Sequence, residues 1–586
     1  MQASFRISIV AAFYLFVAFA IFLKLFHWQV ISADELSLIA SSQRDSIAAI
    51  NPVRGTILAS DGFPFAINQE GYLIYANPQE IDQSPETVAD LLAPLLAPLL
   101  NEVKIATDAS SQDIELIKKN LITDTKSFLL GQLSHKDLVW VLLNRKISHD
   151  IKDNIQTLQL KGIGFEQVPY RLYPEASMAA SILGFVGMDD VGKETGYFGL
   201  EAFYDMELAG RPGVVKQERD GLNRPIPIGK FWEQNKRDGR HLQLFLNRSI
   251  QFAVEQELRD AVSKYEAKSG SVVIMDPKTG AILALASWPG YDPQFYQKYN
   301  YEQFINPLIS NGYEPGSTFK VLTMAAGLDT GVIKPDSICD ICDKPYKIDK
   351  YTIRTWNNQY YANSTMTEVL AHSDNVGMVY VAQKLGLDSF LSYIDKFGIG
   401  KRTGIDLQGE IAPSLREKWI DLDLDTAAFG QGISVTGIQM LKAVGAIANK
   451  GIAVQPRIVN KIIDSEREFN IPITEEERVI TEKTAKTMTD MMVTAVEYGD
   501  AHWARPKGYK IAGKTGTAQI AIGGHYDEAK TIASFIGFAP ADDPQFIMLT
   551  IIEEPKSSQW GSETAAPLFF NIARKLFVYM GIPESK

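Results

Sequence analysis

Ser317-Thr318-Phe319-Lys320 sets a hydroxyl and an amine three residues apart, a spacing that puts both on one face of a helix. Farther along come Ser373-Asp374-Asn375 and then Lys514-Thr515-Gly516-Thr517. Together these residue types can build an acyl-transfer site that works without histidine. Ser317 can attack a carbonyl, and Lys320, if partly desolvated beside other cations, loses enough basicity to act as its base. Ser373 can relay a proton, and the Asn375 amide can hold a peptide carbonyl with both its donor and its acceptor. Lys514, Thr515 and Thr517 on a strand can grip the carboxylate or amide of an extended peptide. Gly516 lets that ligand come close to the backbone, and an edge strand would bind it by strand addition. The backbone N–H groups of Ser317 and Thr517 would then be the oxyanion donors. Each string alone has a plain structural explanation, such as a serine cap before a surface lysine or an Asx cap. Their joint presence in this order is what points to chemistry.

The elements that must position them can be read locally. Glu314-Pro315-Gly316 stops the preceding chain, and the spacing of Phe319, Leu322 and Ala326 predicts a helix that opens at Ser317, where the dipole favours developing negative charge. Thr365 and Glu368 form a capping-box pattern for a helix ending near His372. Ser373-Asp374-Asn375 falls in the turn before a second helix over 376–385, stopped by Gly386. A strand over 241–246 and an amphipathic helix over 249–264 come first. Apolar runs at 271–275 and 281–286 flank the turn 276–280, a hairpin signal. Strands recur at 510–520, 531–538 and 546–552, followed by a helix over 565–579. An α+β fold is expected, with an antiparallel sheet flanked by helices.

Two strings imitate function. Lys278-Thr279-Gly280 repeats the later Lys-Thr-Gly, but it lies in a hairpin turn that explains it. Gly508 to Thr515 fits the phosphate-loop pattern G-x-x-x-x-G-K-[ST]. That loop needs an apolar strand before it and a helix after it. Neither 503–507 nor 516–522 qualifies, so nucleotide binding is excluded.

The remainder bounds the architecture. At 586 residues the chain exceeds one core, and a net charge of −12 argues against nucleic acid as a partner. The apolar run 7–23, extended by Trp28 and Val30, is long enough to span a bilayer, which takes about 20 residues. It is longer than the apolar part of a signal peptide, and no small-residue cleavage site follows at once. An uncleaved anchor over 7–30 is therefore expected, with 1–6 cytoplasmic and the rest outside. Residues 34–236 read as a mixed α/β region. Within it, the segment 86–100 should be broken or kinked at Pro94 and Pro98, and 210–236 reads as an exposed connection. The two cysteines, Cys339 and Cys342, suggest a small local disulfide or two free thiols in a loop in preference to a redox pair or half a zinc site.

At this point the chain resembles the class B penicillin-binding proteins, the monofunctional D,D-transpeptidases of bacterial cell-wall synthesis. The segments carrying the resemblance are Tyr313 to Lys320, Ser373 to Met378, Phe429 to Ser434, Gly513 to Gln519 and Ala565-Ala566-Pro567. In the N-terminal region Arg54 to Ile57, Asp61-Gly62, Arg171-x-Tyr173-Pro174, Leu183 to Gly187 and Gly199-Leu200-Glu201 are similar to the boxes of that family's non-catalytic pedestal. Ala59-Ser60 and Phe245-Leu246-Asn247 depart from the family pattern, both outside the chemistry. The resemblance implies a transmembrane helix, a pedestal of the dimerisation type over 34–236, and a transpeptidase domain of the serine β-lactamase type over 241–586. It implies Ser317 as nucleophile, Lys320 as acylation base and Ser373 as proton relay to the leaving amine. Asn375, Lys514, Thr515, Gly516 and Thr517 would hold the stem peptide, with no metal or organic cofactor. β-Lactams would acylate Ser317. The implied partners are peptidoglycan stem peptides and a SEDS-family glycosyltransferase, with the divisome or elongasome proteins of the cell membrane. Glu314-Pro315-Gly316 paired with Asn375 to Met378 looks more like the septal than the elongation branch. A D,D-carboxypeptidase or β-lactamase shares the motifs and is the alternative.

Overall fold

The computed structural model describes residues 2–97, 111–190, 192–218, 226, 231–464, 466–522 and 525–584. The chain separates into two compact units, Met1–Arg54 with Ala209–Gly239, and Gly55–Leu208 with Arg240–Lys586.

The first unit holds a helix Gln2–Phe26, continued by a π-helical turn His27–Ile31. Phe5–Ile31 is the one stretch among the described residues that is helical, long and apolar enough to cross a membrane, and its most apolar window is wholly exposed. Lys24 lies 5.0 Å over the Trp28 ring at its far end. The unit also contains a three-stranded antiparallel sheet of Asp45–Ile50, Gly213–Glu218 and Phe231–Gln234. This corrects the reading of 210–236 as a plain connection. Val214 and Val215 are β-formers, and their partners Ala49 and Ala48 lie far away in sequence, so the Gly, Pro and basic composition of the stretch masked them.

In the second unit, residues 55–208 contribute to two sheets besides the two-stranded pair Phe185–Met188 and Glu194–Tyr197. One is three-stranded, in the order Val141–Ile147, Tyr72–Ala76, Ile163–Gln167. The helix Pro85–Leu96 supplies Val88, Leu92 and Leu96 to the core beside it. That helix runs through Pro94, contrary to expectation. Pro94 lies in the last turn, so only one ladder bond is lost, and the chain turns extended at Ala97, the residue before Pro98. Pro98 itself lies outside the described residues. The other sheet is six-stranded and shared, because His241–Leu244 pairs in parallel with Ile57–Leu58.

The quoted boxes of this region meet on one buried ion pair. Arg171 Nε donates to Glu201 Oε1 at 2.7 Å, Arg171 Nη1 donates to the Gly55 carbonyl at 2.7 Å, and the Tyr173 hydroxyl donates to Glu201 at 3.5 Å.

Past residue 247 the chain builds a five-stranded antiparallel sheet between two helical layers. Asn247 caps α1 (Arg248–Lys264), which leads into the hairpin β1 (Ser269–Met275) and β2 (Ile282–Trp288). Then come α2 (Lys320–Asp329), α3 (Met366–Ala371), α4 (Asn375–Leu385), α5 (Gly437–Ala448) and α6 (Glu482–Tyr498). The chain closes with β3 (Ala512–Ile522), β4 (His525–Ala539), β5 (Phe546–Glu553) and α7 (Ala565–Tyr579). The sheet order is β2-β1-β5-β4-β3, so β3 is an edge strand. Alternation along β1 sends Val272 and Ile274 to a core shared with α1 and α7, and Val273 and Met275 to the core of the other helices. A sheet covered on both faces explains its unbroken apolar runs. Every residue of α5 is buried. Cys339 and Cys342 are disulfide-bonded and buried.

Candidate active site

Ser317 sits in a single 3₁₀ turn, Gly316–Thr318, that leads into α2. The turn is held from two sides. Gly316 N–H donates to the Gly430 carbonyl at 3.1 Å, and Glu314 accepts from Gly432 N–H at 3.1 Å, which lays the segment Phe429 to Ser434 alongside. On the other side β3 comes so close that a Cβ at Gly516 would lie 2.8 Å from Thr318 Cγ2 and 3.1 Å from the Pro315 carbonyl. Only glycine fits there, and the approach brings the strand against the serine.

Lys320, fully buried, emerges three residues later. Its Nζ donates to the Ser373 carbonyl at 2.6 Å, to Ser373 Oγ at 3.2 Å and to Asn375 Oδ1 at 2.7 Å. Burial and the nearby Lys514 ammonium hold Lys320 well below the ordinary lysine range, against the pull of Asp374 and Asp500. Ser373 is at φ 56°, a conformation that costs a side-chain-bearing residue about 1 kcal/mol or more. The bonds from Lys320 and the following helix hold it there. The capping box of α3 is formed, with Thr365 N–H donating to Glu368 at 2.8 Å. Asp374 Oδ1 accepts from Val376 N–H at 2.8 Å and Gly377 N–H at 3.2 Å, capping α4. The cap and the projection of its neighbours are one arrangement: Asp374 faces inward while Ser373 and Asn375 face a cleft.

That cleft has a volume of about 230 Å³. Ser317, Ser373, Asn375, Thr515, Gly516 and Thr517 all line it. Among the described residues the Ser317 hydroxyl makes no side-chain hydrogen bond, so it is free to rotate. Lys514, 3% exposed, stands behind the wall, and its Nζ donates to Thr515 O at 3.2 Å and Thr515 Oγ1 at 3.1 Å. Burial lowers the Lys514 pKa to about 8, with Asp500 opposing. Lys514 therefore meets the cleft wall through Thr515. The Thr517 hydroxyl accepts from Gly561 N–H at 3.0 Å.

Lys278-Thr279-Gly280 is in the β1–β2 turn, where Thr279 Oγ1 donates to Asp276 and Lys278 pairs with Asp543. Gly508 to Thr515 leads into a strand and no helix follows.

The cleft also holds residues that motif reading passed over. Trp356 and Trp560 face it with ring centroids 5.0 Å apart, edge to face, and Asn375 Nδ2 donates to the Arg354 carbonyl at 2.8 Å, fastening the Trp356 loop. Phe429 and Gln431 line it, and so does Asp500. The only local signal for the tryptophans was an aromatic residue inside an otherwise polar loop.

Comparison with known proteins identifies two families along the chain. The family described as penicillin binding protein transpeptidase domain matches residues 270–574, and the penicillin-binding protein dimerisation domain matches 49–244. The chain is 32% identical to Stage V sporulation protein D of Bacillus subtilis, over 99% of this chain and 86% of that protein. It is 30% identical to peptidoglycan D,D-transpeptidase FtsI of Escherichia coli, over 92% of this chain and 86% of the other. The crystal structure of a peptidoglycan synthetase from Bifidobacterium adolescentis superposes with a TM-score of 0.70 at 26% identity, covering 93% of this chain and 98% of that one.

Proposed function

The chain belongs to the class B penicillin-binding proteins, single-pass membrane peptidoglycan D,D-transpeptidases, and on that premise we propose that Ser317, Lys320 and Ser373 carry the acyl transfer. Lys320, neutral in a useful fraction because of its burial, takes the Ser317 proton as Oγ attacks the penultimate D-alanine carbonyl of a stem peptide. The backbone N–H groups of Ser317 and Thr517 receive the oxyanion. The proton passes through Ser373 Oγ to the departing D-alanine amine, the C–N bond breaks, and the acyl-enzyme remains. An amine from a second stem then forms the crosslink and releases Ser317. Asn375, Thr515, Gly516 and Thr517 hold the donor stem along the β3 edge, with Lys514 charged behind them. A β-lactam acylates Ser317 by the same route.

The observation that carries this reading is the contact of one buried amine with both Ser373 Oγ and Asn375 Oδ1, behind a cleft lined by Ser317. The test is labelling by a fluorescent penicillin, which Ser317→Ala must abolish. A D-alanyl donor given with and without an amine then separates the outcomes. Purely hydrolytic product despite abundant amine would replace the transpeptidase with the D,D-carboxypeptidase or β-lactamase alternative.

The proposed layout is residues 1–6 in the cytoplasm, 7–30 as anchor in the cell membrane, 34–236 as pedestal and 241–586 as catalytic domain outside. A SEDS-family glycosyltransferase is the proposed membrane partner. The pairing of Glu314-Pro315-Gly316 with Asn375 to Met378 supports a septal role. Depletion should then give filaments, whereas loss of rod shape would support the elongation-type alternative.

A further inference from the structure

Two substrates use this site, and their charges differ. The donor brings a carboxylate, which suits Lys514 and the hydroxyls and N–H groups of β3. The acceptor brings an alkyl amine, which is an ammonium ion at neutral pH. Among the described residues lining the cleft, Asp500 is the only one with an ionisable side chain. It is exposed to the cleft and makes no hydrogen bond or ion pair with any described residue. Its place is fixed by packing. A Cβ at Gly499 would lie 2.3 Å from the Ala495 carbonyl and 3.0 Å from the Ala371 carbonyl. The turn after α6 is thus pressed against the end of α3, two residues before Ser373. His502 Nδ1 lies 3.0 Å from the Gly499 carbonyl, bracing the turn from its other end.

We infer that Asp500 is the residue that receives the ammonium of the acyl acceptor and positions it for attack on the acyl-enzyme. This deepens the transpeptidase reading above and rests on it. Burial pushes the Asp500 carboxyl up from its ordinary range, and the titratable groups facing it, Lys514, His372, His502 and Lys320, oppose this. The two lysines are buried and spend their hydrogen bonds on Ser373, Asn375 and Thr515 and not on Asp500, so its carboxylate stays open to a cation from solution. After acylation the departing D-alanine has carried away the proton that Lys320 took, leaving the Lys320 amine neutral. The acceptor ammonium gives one proton to Lys320 through Ser373 Oγ. Its nitrogen forms the C–N bond, the bond from the acyl carbon to Ser317 Oγ breaks, and Ser317 Oγ takes a second proton from the same nitrogen. Lys320 then discharges to water. Asp500 stays a carboxylate throughout and is a positioning group.

The test uses the full chain in detergent, a D-alanyl-D-alanine donor and two nucleophiles at neutral pH. One is Nα-acetyl-lysine amide, whose side-chain amine is cationic, and the other is hydroxylamine, which is uncharged. The readout is the ratio of aminolysis to hydrolysis, which does not depend on how fast the acyl-enzyme forms. Asp500→Asn should lower this ratio about tenfold for the lysine amine, the size of a lost charge-assisted contact, and by less than about twofold for hydroxylamine. Asp500→Glu should restore most of the loss. Equal losses with both nucleophiles, or none, would overturn the assignment. So would a failure of the glutamate variant to recover while it still binds penicillin. Absence of aminolysis in the unaltered protein would instead remove the transpeptidase reading on which the assignment stands.

Discussion

Lys320 and Lys514 are both buried lysines beside the same cleft, yet their depths and partners give them opposite uses. Lys320 donates to three acceptors and is held well below the ordinary lysine range, by burial first and by Lys514 second. In the proposed mechanism its neutral form is the working one, so acylation should rise with pH as it loses its proton. Lys514 titrates at about 8, lowered by burial. In the proposed mechanism its charged form is the working one, attracting the carboxylate of a donor or a penicillin. The expected profile for acylation by fluorescent penicillin is a bell, with an alkaline limb near pH 8. Lys514→Arg keeps the cation at all accessible pH values, so the alkaline limb should disappear while the acid limb stays. An alkaline limb that survives unchanged in the arginine variant would assign it to another group. Lys320→Met should cost about a thousandfold in acylation, the scale of a lost general base.

At the scale of elements, the buried Arg171–Glu201 pair shows what a motif does once folded. Arg171, Glu201 and Gly55 come from three separate boxes and meet in one network, with Tyr173 also on Glu201. Glu201 is fully buried, so removing Arg171 takes a charged partner away from a desolvated carboxylate. Arg171→Leu should destabilise the chain by about 3 kcal/mol. The double variant Arg171→Met with Glu201→Gln should recover much of that, read as the shift in urea midpoint. A single variant as stable as the parent would mean the pair contributes nothing net. Each box could be quoted from the sequence, but their meeting could not, because nothing local says that residues 55, 171 and 201 share a pocket. The same limit hid the strand Gly213–Glu218, whose partner Asp45–Ile50 is distant. At Pro94 a local rule was applied without its position term: proline breaks a helix interior, but in the last turn it removes a single bond. Where the signal was local, as in the Thr365–Glu368 box or the turn after β1, sequence and structure coincide.

Across the whole molecule, the sheet is the reason a site can be assembled from distant strings. Both faces of β1, of β5 and of the 533–539 part of β4 are buried, which made their apolar runs easy to read and gives β3 a rigid neighbour. Trp356, Asp500 and Trp560 were hidden because they reach the cleft from three loops whose convergence only the packed helices impose. Packing of this kind also traps charge. Asp425, in the helix Asp421–Ala427, is 1% exposed. Burial pushes its carboxyl from 3.8 up to about 6, with Asp421 adding to the effect and Gln383, 3.5 Å away, opposing it. Its folded form binds the proton more tightly than its unfolded form does. The stabilisation this provides is therefore complete below 3.8 and is lost as pH rises through about 6. Above that range the native state holds a buried carboxylate at a cost of about 3 kcal/mol. Asp425→Asn removes the charge and keeps the shape. It should raise unfolding free energy by about that amount at roughly pH 7.5 and by close to nothing at roughly pH 4. Urea titrations of the two proteins at both pH values give the difference directly. A gain of equal size at both would trace it to packing, and a loss at neutral pH would mean the carboxylate is needed in its charged form.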